Sequence, residues 1–363
     1  MPTGLRRHLG QLVVVGFADV ALPVELRAIA REFDLGGVIL FARNVEAPLQ
    51  VAEIAYDVKQ LTSIPPWVSV DQEGGRVQRL RAPFTEWPPL ETLGRRGDAD
   101  LTERFGRALA RELRSVGITL DYAPVLDVQS NAANPVIGDR SLSEDPGEVA
   151  RLGSVLIRAF EAEGLAACGK HFPGHGDTSL DSHLELPVVE HEPGRLQEVE
   201  LRPFRAAIET GVAALMTAHV RYPALDESAP ATLSRALIAG LLRQELGYDG
   251  LVVTDDMAMG AIAKHQAAAP AAVEAVGAGC DLVLLCEPNP AAQVEVIEGL
   301  IRAVEDGTLP ERRVEEALGR QRRARERFLR GDEGWRPPPA TRLDEVIGCA
   351  EHEEIAHAMR ESL

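Results

Sequence analysis

Eight short β-rich runs recur along this chain, most of them followed by polar loop residues and then a helical pattern. They are LVVVGF (12–17), GGVILFARN (36–44), PWVSVDQEGG (66–75), TLDYAPVLDV (119–128), ACGKHFPGHG (167–176), ALMTAHV (214–220), GLVVTDDM (250–257) and DLVLLCE (281–287). Helical stretches separate them. DADLTERFGRALARELRSVG opens on Asp and Thr and stops at Gly, and DPGEVARLGSVLIRAFEAEG, EVELRPFRAAIETG, SRALIAGLLRQELG and PAAVEAVGAG follow the same rhythm. Strands and helices that alternate in this way build a parallel sheet with its helices packed outside. Eight alternations over about 290 residues argue for a closed (β/α)8 TIM barrel rather than an open doubly wound sheet.

The barrel is expected to occupy residues 1–330 as a single catalytic domain. Beyond it, GDEGWRPPPATRLDE reads as a Pro-rich connector and LDEVIGCAEHEEIAHAMRESL as a terminal helix. Residues 331–363 are therefore expected to pack on the barrel, being too few to make a second domain. Polar residues collect where strands end. Asp71 and Glu73, Asp127, Lys170 and His171, His219, Asp255 and Asp256, and Glu287 all sit at or just past the C-terminal end of an expected strand. In a parallel barrel those ends converge on one mouth, which is where such folds place their chemistry.

Composition narrows the partner. Lys and Arg total 38 against 56 Asp and Glu, a net charge of −18, which repels nucleic acid and anionic membranes. No apolar run is long enough to cross a bilayer. A small uncharged molecule is the expected partner, and a monomer the expected state. Cys168, Cys280, Cys286 and Cys349 are scattered without CxxC spacing, which suits a reducing compartment. The N-terminal MPTGLRRHLGQLVVVGFADVA imitates a signal peptide, but its apolar run is short and broken by Gly. It reads as the entry to the fold, and the cytoplasm is the expected location.

The densest chemistry lies in GKHFPGHGDTSLDSH (169–183), which holds His171, His175, Asp177, Asp181 and His183. A metal site needs three or more ligands on rigid elements, whereas Gly, Pro and Ser mark most of this window as loop. His175 and Asp177 read as loop-shaping hydrogen bonders. Asp181 and His183 stand two residues apart, so the carboxylate can hold one imidazole nitrogen and leave the other for a substrate proton. A loop location also implies that this acid can move. A partner for it lies in GLVVTDDMAMGA, where Asp255 or Asp256 can attack or stabilise a cationic centre and the other can cap the following helix. Periodicity alone does not choose between them. In VDQEGGRVQRL (70–80), Asp71 with Arg76 and Arg79 suits the holding of sugar hydroxyls or a structural ion pair. Arg140 in NPVIGDRSL can reach a ligand or brace its loop.

Taken together in this order, VDQEGGRVQRL, NPVIGDRS, GKHFPGHGDTSLDSHLELP, MTAHVRYPALD and GLVVTDDMAMGAI resemble bacterial β-N-acetylhexosaminidases of glycoside hydrolase family three, from about residue 9 to 325. The resemblance implies a (β/α)8 barrel that removes terminal β-linked N-acetylglucosamine in two retaining steps, with no metal or other cofactor. By motif, Asp255 resembles the nucleophile, His183 the general acid/base and Asp181 its orienting partner. Asp71, Arg79, Arg140, Lys170 and His171 fall on positions that bind sugar hydroxyls. Single-domain cytoplasmic members of the family cleave N-acetylglucosamine from cell-wall muropeptides, and this chain resembles that branch. Thr254 stands where Ser is often found before the nucleophile, and the helix after PPPATRL has no counterpart in the shared pattern.

Four other readings stay open at this point. They are attack by the substrate's own acetamido group, held by the Asp255–Asp256 pair; phosphorolysis or broader β-glycosidase activity on the same site; a metal-dependent hydrolase built on His171, His175 and His183; and a sugar-binding barrel without turnover.

Overall fold

The computed structural model of the chain describes residues 3–330 and 334–361. Eight parallel strands close into a barrel: β1 (Val13–Val15), β2 (Gly37–Leu40), β3 (Trp67–Val70), β4 (Leu120–Asp121), β5 (Ala166–Phe172), β6 (Ala214–Thr217), β7 (Leu251–Asp256) and β8 (Leu282–Leu285). Each pairs with its sequence neighbours, and β1 closes the ring on β8 through Val13–Val283 and Val15–Leu285. The architecture is the (β/α)8 barrel.

The strands are shorter than the runs that announce them, and the reasons are local. β4 ends at Asp121 although its run continues to Val128, because Pro124 has no N–H for the ladder. The chain touches the sheet again at Val125, which pairs with Lys170. Pro173 ends β5 in the same way. The outer helices begin where side chains accept their free N–H groups. Asp98 accepts from Asp100 and Leu101, Asp145 from Gly147, and Asn289 from Ala292. Between β6 and β7 the helix Ala236–Glu245 is wound as a π-helix.

Two apolar layers result from strand alternation. Outward residues such as Val13, Val68, Leu215 and Val252 pack under the helices. Inward residues Val14, Ile39, Trp67, Leu120, Tyr122, Cys168, Met216, Val253 and Leu284 fill the barrel, and Phe328 and Leu329 join them. The interior is packed rather than hollow, so a ligand has access only at an end.

The C-terminal segment is two helices rather than the single one expected, Ala340–Asp344 and Ala350–Arg360. Gly348 interrupts them with φ of 60°, and a Cβ there would lie 2.3 Å from the Pro83 carbonyl oxygen. The Gly348 N–H and His352 Nδ1 both bond Glu112 Oε1, at 2.8 and 3.0 Å, on the helix Ala99–Ser115. The start of the expected connector, residues 331–333, lies outside the described residues. Among the described residues no helix is long and apolar enough to cross a membrane.

Candidate active site

The C-terminal ends of the strands surround a cavity of about 230 Å³. It is lined by Asp71, Arg79, Arg140, Lys170, His171, His183 and Asp255, with Asp256, Phe41, Met216 and Cys286 among the remainder. Larger depressions lie between outer helices, but the groups able to move protons converge on this one. Of the eight candidate residues, seven line the cavity, and Asp181 reaches it through His183.

One wall is a chain of alternating charges. The Lys170 ammonium lies 2.8 Å from Asp71 Oδ1 and 2.6 Å from Glu73 Oε1. Arg140 grips Glu73 with two parallel bonds of 2.8 Å, and Arg79 Nη2 approaches Asp71 Oδ2 at 3.4 Å. Burial acts to raise the Glu73 carboxyl, but Arg140 and Lys170 outweigh it and hold that carboxyl well below the usual range. Burial likewise acts to lower Lys170, and Asp71 and Glu73 overcome it, keeping the ammonium charged. Arg79 also sits over the Phe41 ring, 5.3 Å from its centroid. Arg76 takes no part: it bonds Asp139 at 3.0 Å and the Val136 and Ile137 carbonyls, bracing the loop that carries Arg140. Gly74 and Gly75, with φ of 101° and 56°, form the tight hairpin turn that separates Arg76 and Arg79 from Asp71.

Histidines are set by carboxylates. His171 Nδ1 donates to Asp127 Oδ2 at 2.6 Å, which leaves Nε2 as the nitrogen available to the cavity. Asp127 Oδ1 accepts from the backbone N–H groups of His171 and His175 at 3.1 and 2.6 Å. His175 is buried, and burial holds its imidazole down at about 4. Neutral, it joins Ser182 Oγ at 2.9 Å to Thr178 Oγ1 at 2.8 Å, which ties the root of the loop that carries His183 to its far side. Asp177 pairs with His191 farther along the same loop. Both ring nitrogens of His175 are occupied by hydroxyl partners. Among the described residues no three His, Cys, Asp or Glu side chains group to hold a metal ion.

Asp181 Oδ1 accepts from His183 Nδ1 and from the His183 backbone N–H, both at 2.8 Å. The His183 side chain is 62% exposed, and with Nδ1 held by Asp181 its Nε2 is left unpaired at the cavity. Its loop rests on the turn after β7, where Gly260 N donates to His183 O at 3.0 Å and Ala261 N to Ser182 O at 3.2 Å. A Cβ at Gly260 would lie 2.7 Å from that His183 oxygen, so only glycine allows this approach.

The two adjacent aspartates are separated by their bonds. Asp256 Oδ1 accepts from the backbone N–H groups of Ala258 and Cys286, at 3.2 and 3.0 Å, and so fastens β7 to β8. Burial pushes its carboxyl up. Among the described residues, Asp255 accepts only from the Asp256 backbone N–H, at 2.8 Å. Burial acts to raise Asp255 too, but His219 and His171 outweigh it and hold the carboxyl below its usual value. His219 Nε2 donates to the Asp256 carbonyl at 3.0 Å, while Nδ1 lies 2.7 Å from Thr232 Oγ1. Glu287, a strand-end carboxylate in sequence, is exposed and takes no part in the cavity lining.

Sequence reasoning placed Glu73 and Asp127 at strand ends without giving them partners, and it missed Phe41 altogether. The signal for Phe41 was its position immediately after GGVIL, at the same strand-end level as Asp71.

Comparison with known proteins accords with this geometry. The family model described as the glycosyl hydrolase family 3 N-terminal domain matches residues 4–324. A beta-hexosaminidase of Thiobacillus denitrificans is 37% identical over 334 residues, covering 90% of this chain and 84% of the relative. A family 3 β-N-acetylglucosaminidase structure from Paenibacillus sp. aligns with a TM-score of 0.94 and 41% identity, covering 99% of this chain and 68% of that one. NagZ from Neisseria gonorrhoeae, solved with N-trifluoroacetyl-D-glucosamine, aligns with a TM-score of 0.80 and 31% identity over 97% of both chains. With a barrel whose mouth gathers these carboxylates and histidines, the chain belongs to glycosyl hydrolase family 3 and is a glycoside hydrolase of the β-hexosaminidase type.

Proposed function

We propose that the chain is a retaining exo-β-N-acetylglucosaminidase that releases terminal N-acetylglucosamine from peptidoglycan-derived muropeptides. The observation that carries this reading is the presence of Asp255 and the Asp181–His183 pair at one closed-ended cavity. Asp255, kept ionised by its histidine neighbours, attacks the anomeric carbon while His183 Nε2–H protonates the departing glycosidic oxygen. A covalent glycosyl-enzyme forms and the aglycone leaves. His183, now neutral, takes a proton from water, and the hydroxyl displaces Asp255 with a second inversion, so that configuration is retained. Asp181 fixes the imidazole tautomer through both steps. Asp71, Arg79, Arg140, Lys170 and His171, which line the cavity, hold the sugar hydroxyls.

The cavity is smaller than the roughly 300–1,000 Å³ of sites that engulf a drug-sized ligand, which favours one terminal sugar over an internal segment of polymer. A loop that carries the acid and rests on Gly260 and Ala261 by one backbone bond each is able to swing, and the acid is expected to move on sugar binding. Four free cysteines favour a reducing, cytoplasmic location, and a monomer is the proposed state.

The test is mass spectrometry after incubation with a 5-fluoro N-acetylglucosaminyl donor. An adduct on the Asp255 peptide is expected; an adduct elsewhere overturns the assignment. Absence of any adduct, with strong inhibition by a thiazoline analogue, would point to attack by the acetamido group instead. A second reading, phosphorolysis, is favoured by one observation: the acid is a histidine, which unlike a carboxylate does not repel an incoming phosphate. Turnover with and without phosphate, with a search for the sugar 1-phosphate, separates the two.

A further inference from the structure

Glu73 is a buried carboxylate of the mouth wall, its side chain only 1% exposed, and it is absent from the cavity lining. It nevertheless touches two residues that line the cavity, and with short bonds. Both carboxylate oxygens engage Arg140 at 2.8 Å, and Oε1 also meets the Lys170 ammonium at 2.6 Å. Lys170 has one other carboxylate partner, Asp71, and that residue is shared with Arg79. Asp121, beneath this wall, accepts from the Gln72 backbone N–H at 2.9 Å, and burial pushes its carboxyl well above the usual range.

Two cations of the wall therefore share one fully buried negative charge. We propose that Glu73 is a positioning residue for sugar recognition: without touching the sugar, it aims the Lys170 ammonium and the Arg140 guanidinium. The physical basis is geometric. An ammonium on a four-carbon stem has many rotamers and no intrinsic direction, whereas two carboxylates on different elements leave it a single position. Asp71 alone supplies one of those points and Glu73 the other. The same bond ties the hairpin that follows β3 to the loop carrying Arg140, so two segments distant in sequence share one anchor.

The inference rests on the reading that Lys170 binds the sugar, and three variants of the full chain keep the two claims distinguishable. Glu73→Gln keeps the shape and removes the charge. It is expected to raise KM and the Kd for N-acetylglucosamine by about 10- to 100-fold with a smaller change in kcat, since bonds to charged groups are lost. Its Kd should also weaken progressively between about pH 7 and 10, where the wild type stays level, because Lys170 remains buried with one counter-charge fewer. Glu73→Asp keeps the charge at a shorter reach. It should keep the level pH profile while raising KM, and it carries the test if the Gln variant does not fold. A Gln variant with wild-type KM and a level profile, or an Asp variant with wild-type KM, overturns the proposal. Lys170→Met is the control. If it leaves sugar affinity unchanged, Lys170 is not a sugar ligand and the underlying reading fails. If it weakens binding while Glu73→Gln does not, only the role of Glu73 fails.

Discussion

The barrel carries a buried ion network at each end, and the two are built differently. At the bottom, Asp281 is fully buried and accepts from Arg313 at 2.6 Å and Arg320 at 3.4 Å on one oxygen. Its other oxygen accepts from Arg243 at 2.5 Å and from the Val252 backbone N–H at 3.0 Å. Every acceptor direction is filled by the protein, and the group clamps the outer helix Glu311–Phe328 to the strands. At the mouth, Lys170, Arg79, His171 and Asp255 are also partnered, yet each lines an open cavity. Buried charge by itself therefore does not mark a site. What marks one is a charged group whose partners fix its direction while leaving bonding capacity turned toward a space that substrate can enter.

If that contrast is right, substitutions at the two ends should separate activity from stability. The largest effect is expected from Asp255→Ala, with kcat reduced by about four orders of magnitude and denaturant unfolding little changed; a loss below tenfold would remove it as nucleophile. Next, Asp281→Ala leaves the largely buried Arg243 guanidinium without its carboxylate partner and takes one partner from Arg313 and Arg320, and should lower the unfolding free energy by about 3–5 kcal/mol. Its kcat/KM per folded molecule should stay within about twofold, and a selective loss of activity would show that the bottom network reaches the chemistry. His183→Ala should lower kcat by about 10²–10³-fold on natural substrates and less on donors with an activated leaving group, which depend less on the acid.

Smaller again is the pH response. Asp255, Asp127 and Glu73 are all held below the ordinary carboxylate range in the fold, against the opposing effect of burial. The stability they contribute is in place above the unfolded carboxylate range of about 4, and it is lost only as pH falls through their lower folded values. The acid limb of kcat/KM should accordingly lie below about pH 4, and a limb above about pH 5 would contradict an ionised Asp255.

Legibility in the sequence followed the range of the interactions involved. Asp181 and His183 are two residues apart, and their mutual bond is local, so spacing alone was enough to pair them. Periodicity alone does not choose between Asp255 and Asp256, and only the motif resemblance points to Asp255; what separates them physically is that the Asp256 carboxylate meets the Cys286 backbone N–H, thirty residues away just past the neighbouring strand. Position after Gly74 and Gly75 makes Arg76 and Arg79 equivalent; the resemblance picks out Arg79, and a partner in a distant loop, Asp139, holds Arg76. The terminal helix was read as continuous because its apolar spacing runs on. The break at Gly348 is imposed by contact with Pro83 and Glu112 on the barrel.

By itself, then, the sequence determined the eightfold alternation, the end of the barrel at which polar groups gather, and the local acid pair. These follow from periodicity and from neighbours a few residues apart, which a linear pattern records. The tertiary structure alone decided which carboxylate the Cys286 N–H holds, what partner Arg76 takes and what Glu73 holds. Each of those outcomes depends on a hydrogen bond between segments brought together only by closing the barrel, and no spacing in the chain encodes the distance across its mouth.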